Sequence, residues 1–199
     1  KVYLTTKKIY LVAVRIMVTL LESVARSVVI HNSFLLAYLE IENFVGNVVA
    51  GLTTYLTDTP VLLQLISLVS HISRIGQFSS SHLMLKSDLE SQHAAEKLLR
   101  VLQVHQHDDE EHTSSSKSTL TETETMAVQL CVTCCEALGS ICEHSDVMTS
   151  LIGVNFGFCE LASNLLGNAL TKSKSEKGKS AGGDIYIELL DVTCSAIST

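Results

Sequence analysis

The sequence predicts an all-α protein built from stacked helical repeats, and three observations lead there. The 199 residues include a single Pro and no Trp, and 46% are apolar, a composition that leans strongly to helix. Apolar residues return at the 3.6-residue period along most of the chain. Residues 126–170 read as long helix, short helix, long helix. None of the three can hide its apolar face alone, so each is stable only when layered on the next.

The totals also set exclusions. The chain is long enough for one domain with a real core or for a few repeats. A formal net charge of −7 disfavours broad electrostatic binding to nucleic acid. The six Cys fall mostly inside helical periodicity, with no framework spacing. A reduced intracellular compartment, cytoplasmic or nuclear, is therefore expected. Residues 9–30 are the most apolar stretch, but Arg15, Glu22 and Arg26 interrupt it, so no membrane insertion is expected. Helical pattern begins almost at Lys1, which suggests a segment of a longer chain.

In order, residues 6–27 form the first expected helix. Ile9, Val12, Ala13, Ile16, Leu20, Val24 and Val28 give it one broad buried face. Its Val and Ile rows are poor helix formers, so packing must override propensity. After a break at His31-Asn32-Ser33 comes a short segment, 34–41, and then a helix over 42–56 with Phe44, Val45, Val48, Val49, Leu52 and Leu56 turned inward. Thr57-Asp58-Thr59-Pro60 is the clearest boundary: Thr59 suits a cap and Pro60 a first turn, where a missing N–H costs nothing. The helix over 61–75 ends at Gly76, a candidate left-handed terminus. Residues 78–85 are serine-rich and ambiguous. Ser87 with Glu90 makes a Ser-x-x-Glu capping box for a helix running to about Val104. Residues 106–118 are a polar loop and 171–183 a basic linker, on either side of the central helices. Asp184 opens a last helix over 185–197.

Four short segments share a pattern of small residues followed by a β-branched aliphatic: LLESVA, LVSHIS, ALGSIC and TCSAIS, starting at residues 20, 68, 137 and 193. Their spacings of 48, 69 and 56 residues exceed the roughly 40–47 residues of armadillo and HEAT repeats, and the two longer intervals contain the two polar stretches. Residues 137–142 resemble the end of an armadillo repeat's third helix, 146–152 the short first helix of the next repeat, and 153–170 its second. The resemblance implies a right-handed α-α superhelix of about three to four units, one repeat domain over 1–199, binding protein rather than catalysing. Gly153 or Gly157 stands where the family places its glycine turn. The groove tryptophan of nuclear-import receptors has no counterpart, so cargo binding of that kind is not expected.

At each chemistry-bearing cluster a reactive role competes with simple packing. Cys131, Cys134, Cys135, Cys142 and His144 include a Cys-x-x-Cys spacing that can hold zinc. Yet Cys131, Cys135 and Cys142 share one helical face, and buried Cys behaves as a small hydrophobe, so no metal site is expected. His105, His107, Asp108, Asp109, Glu110, Glu111 and His112 fit a solvated acidic loop, beside which Ser114, Ser115 and Ser116 are candidate phosphorylation sites. No phosphate loop, nucleophile elbow or His-Glu-x-x-His occurs. No enzyme, cofactor or small-molecule substrate is expected.

What remains is a set of polar stripes at helical spacing: Arg15, Thr19, Glu22 and Arg26; Gln64, Ser67, His71 and Arg74; Gln129, Thr133, Glu136 and Ser140; Asp184, Glu188, Asp191 and Ser195. In an armadillo-like stack they would floor a groove for a peptide or helix of a partner protein. The alternatives are a purely structural spacer within a large repeat protein, or a metal- or redox-sensing helical domain at the Cys131–His144 cluster.

Overall fold

A computed structural model describes residues 2–26, 43–75, 83–107, 122–143, 146–155, 157–175, 187–189 and 191–194. The protein is all-α, and no strand occurs among these residues. Its helices are α1 (Val2–Arg26), α2 (Phe44–Thr54), α3 (Thr59–Ile75), α4 (Leu83–Ser91), α5 (Ala94–His107), α6 (Glu122–Cys142), α7 (Asp146–Ser150) and α8 (Phe158–Ser175). They group into two compact units, Lys1–Lys97 and Leu98–Thr199.

In the first unit α3 is the hub, packed by α1, α2 and α4. Val61, Leu62, Leu65, Ile66, Leu68, Val69 and Ile72 are all fully buried on it. The α2 helix adds Val45, Val48, Val49 and Leu52, and α4 adds Leu89.

The inward face expected for α1 is the one it exposes. Ile9 is 66% exposed, Val12 56%, Ile16 53% and Leu20 42%, whereas Val14 is 7% exposed. The opposite side, with Lys7, Tyr10, Leu11, Val14, Met17 and Val18, is the covered one. That side carries matched chemistry as well as bulk. The Lys7 ammonium pairs with the Asp58 carboxylate. Tyr10 stacks on Tyr55 with ring centroids 5.0 Å apart, and its hydroxyl comes so close to α2 that a Cβ on Gly51 would lie 2.7 Å from it. The aliphatic outer stripe has nothing directional to set against these contacts.

Two boundaries also differ from expectation. The cap of α3 is Asp58 rather than Thr59, for its carbonyl accepts from the N–H of Leu62 at 2.9 Å. Its carboxylate also suits the positive end of the helix dipole. Ser87 lies inside α4 and caps nothing. The break comes at His93, which takes φ 57°, a left-handed value that His tolerates better than β-branched residues. The Gln92 N–H donates to the Asp88 carbonyl, and the His93 carbonyl then accepts the first bond of α5 from Lys97. A Ser-x-x-Glu pattern fits a helix interior as well as a start, and α4 is fixed by packing on α2 and α3.

In the second unit α6 runs to Cys142, and α7 follows after Glu143 and the undescribed residues 144–145. The chain then widens into one π turn, Leu151–Asn155, before α8. Of the two candidate turn glycines, Gly157 has the left-handed backbone, φ 70°, and its carbonyl starts α8 by accepting from Leu161. Gly153 sits within the π turn. The α8 helix continues through residues 171–175, expected to be linker. No breaker occurs between Thr171 and Gly178. Helical turns at 187–189 and 191–194 fall within the expected last helix.

The short segment 34–41, Gly76, loop residues 108–118, His144, linker residues 176–183, Asp184 and Ser195 lie outside the described residues.

Candidate functional site

Two helices, one in each unit, have the same unusual exposure. α3 is covered nearly all round, and its polar opening follows Gln64, Ser67, His71 and Arg74, the first three half-buried and Arg74 exposed. α6 repeats this: Val128, Leu130, Cys131, Val132, Cys134, Cys135, Ala137, Leu138, Ile141 and Cys142 are buried. Its opening runs along Gln129, Thr133 and Glu136, with Glu136 exposed. The spacings, near i, i+3 or i+4, and i+7, keep each stripe on one face. Each stripe is the open side of an otherwise enclosed helix.

The remaining stripe residues are placed as follows. Arg15 is exposed on α1, while the side chains of Glu22 and Arg26 on the same helix lie outside the described part. Glu188 and Asp191 are exposed on the last helical turns. Some stripe hydroxyls are already engaged. Thr133 donates to the Gln129 carbonyl at 2.8 Å, and Thr19 to the Arg15 carbonyl at 3.0 Å. Both are i−4 bonds that satisfy the hydroxyl within its own helix. Ser140, at the end of the α6 stripe, is buried.

The thiol cluster is a packing feature of α6. Cys131, Cys134, Cys135 and Cys142 are buried thiols outside any disulfide, whereas Cys159 and Cys194 are exposed ones. Burial, reinforced by Cys131 and Cys135, raises the Cys134 thiol well above its ordinary value. Burial also pushes Cys135 up to about 11, opposed by Thr193 and aided by the Glu136 carboxylate. The Thr193 hydroxyl donates to the Leu189 carbonyl at 2.6 Å and reaches Cys135 Sγ at 3.8 Å, so the last helical turns cover this part of α6. Held protonated in this way, Cys134 and Cys135 are poor nucleophiles. Among the described residues, no three His, Cys, Asp or Glu side chains gather closely enough to hold an ion. His105 is buried in α5, and the acidic residues expected beside it, 108–112, lie outside the described part.

By length and composition one described window, Thr125–Cys142, is apolar enough to cross a membrane, although most of it is buried within the fold. The sequence pointed instead to residues 9–30 as the most apolar stretch.

Sequence reasoning missed two features. One is the exposed aliphatic stripe of α1. The other is the Lys7–Asp58 pair, in which Asp58 Oδ1 is buried without a hydrogen-bond partner. The available signal was Lys7, Tyr10 and Val14 at i, i+3 and i+7, a second face as regular as the aliphatic one.

Comparison with protein-family models, with curated proteins and with solved structures returned no match for this chain.

Proposed function

We propose that this chain is a non-catalytic interaction scaffold of the armadillo- or HEAT-like class. Its partner is a protein, bound as a peptide or helix along the polar openings of the enclosed helices. In the first unit the contacting residues are Gln64, His71 and Arg74, and in the second Gln129, Thr133 and Glu136. Arg15, Glu22 and Arg26, and Glu188 and Asp191, extend the polar surface of their own units. The single observation that supports this reading is that α3 and α6, each walled in by apolar packing, keep one polar stripe open at helical spacing. Amide and charged groups at such spacing suit main-chain and side-chain hydrogen bonds to an extended or helical ligand. Four thiols buried on a helix suit a reducing, intracellular setting.

The test begins with cross-linking in the protein's own cell lysate, to identify what attaches to these stripes. The double variant His71→Glu/Arg74→Glu is then expected to weaken that partner by about tenfold or more. Its thermal midpoint should stay near that of the parent chain. Unchanged affinity in a quantitative pull-down removes the α3 stripe from the reading. A chain that captures no partner at all is a structural spacer instead.

A further inference from the structure

The thiol of Cys135 lies beneath a part of the chain that has few holds of its own. The described helical turns at 187–189 and 191–194 cover it, with the Thr193 hydroxyl 3.8 Å from its Sγ. Leu189 is 4% exposed and Thr193 0%. Val192 is half-buried, whereas Ile187, Glu188, Asp191 and Cys194 are exposed. The helix underneath is of another kind, buried along most of residues 128–142.

The polar contact at Cys135 adds little to the attachment. The Thr193 hydroxyl donates to the Leu189 carbonyl at 2.6 Å, inside its own helical turn. Its approach to sulfur at 3.8 Å is a weak contact by comparison. Lifting these turns therefore breaks no strong polar bond at this point, and what holds them is the apolar burial of Leu189 and Thr193. Segments with few buried side chains are those that open locally while the rest of a fold persists.

For Cys135 such an opening has a chemical consequence. A thiol attacks as its thiolate, and burial is the main reason that this one is pushed up to about 11. Uncovering it admits a reagent and at the same time restores part of the thiolate.

We propose that the turns at 187–189 and 191–194 form a cover that lifts while α6 stays folded, and that Cys135 beneath it is a gated site for soft electrophiles. With the cover down the thiol is inert packing. With the cover up its sulfur adds to an electron-poor carbon–carbon double bond: one S–C bond forms, the π bond breaks, and the other carbon takes a proton from water. No oxidant is needed. The gate stands whether or not the polar stripe of α6 binds a partner.

The probe is N-ethylmaleimide, added to the full chain near neutral pH, with each labelled cysteine assigned by peptide mass spectrometry. Labelling of Cys135 is expected to stay nearly flat through low urea and to steepen only as the chain unfolds, because a local opening exposes little surface. Leu189→Asp should speed labelling at Cys135 by about tenfold or more while the exposed Cys159 reacts as in the parent. The variant should keep the parent's circular dichroism spectrum; Leu189→Ala is the milder substitute should Leu189→Asp fail to fold. Labelling of Cys135 that follows global unfolding at every urea concentration overturns the proposal, as does an unchanged rate in the folded variant. Loss of the helical signal in both variants overturns it too, because the cover is then an inseparable part of the core.

Discussion

α1 and α3 pack against each other, yet they stand at opposite extremes of burial. α3 turns every large aliphatic from Val61 to Ile72 inward except the half-buried Leu63, and keeps one polar stripe open. α1 buries a mixed face of Lys7, Tyr10, Leu11 and Val14 and leaves its cleanest aliphatic row outside. Apolar periodicity therefore identifies a helix more securely than it identifies the side that will be covered. Burial of aliphatic surface is non-directional, and either face of α1 offers a comparable area. Contacts with geometry decide between them: the Lys7–Asp58 pair, the Tyr10–Tyr55 ring contact, and the room for the Tyr10 hydroxyl beside Gly51.

The largest effect that can break this contrast is a cavity. Leu62→Ala, at a fully buried position of α3, is expected to cost about 2–5 kcal/mol in urea unfolding, whereas Ile16→Ala on α1 should stay within about 0.5 kcal/mol. Comparable losses at the two positions would mean that the aliphatic row of α1 is covered in solution.

A smaller effect extends the contrast to α6, the enclosed helix of the second unit. Cys135 is protonated in the fold up to about pH 11, against an ordinary thiol value of 9.0. A raised folded value means that the folded state holds the proton more tightly. Its stabilising contribution is therefore complete below pH 9 and is lost as pH climbs from 9 to 11. The loss is on the order of 2 kcal/mol for one such thiol. Denaturation followed from pH 8 to 11 should show this decline, and Cys135→Ala should flatten part of it. An unchanged slope in that variant would remove Cys135 as its source.

Smaller again is the test of what orients α1. Gly51→Ala places a methyl 2.7 Å from the Tyr10 hydroxyl and 3.0 Å from Leu65 Cδ1. The crowding should outweigh the better helix propensity of Ala and leave a net loss of about 1 kcal/mol. Adding Tyr10→Phe removes the nearest atom and should return part of that loss, a positive coupling in a double-mutant cycle. Strict additivity would show that the hydroxyl does not seat α1.

Much of the helical order was readable because period and punctuation are local properties. The Thr57–Pro60 boundary and the helix over residues 44–54 follow from residues within one or two turns, whereas the helix expected from Gly153 starts only after Gly157. The stripe on α3 was also legible, because a helix with apolar residues on most sides leaves few places for Gln64, His71 and Arg74. The break at His93 was not. Its left-handed backbone carries no glycine to announce it, and the capping-box pattern at Ser87 and Glu90 pointed to the wrong turn.

Composition and period alone determined that this chain is helical, roughly where several of its helices run, and that the cysteines of residues 131–142 belong to a helix with an apolar face. Only the tertiary structure decided which face of α1 is covered, and that Asp58 rather than Thr59 caps α3. It alone showed Thr193 above the thiol of Cys135. Each of these depends on groups far apart in sequence meeting at fixed distances. No periodicity within a single helix records what will stand opposite it.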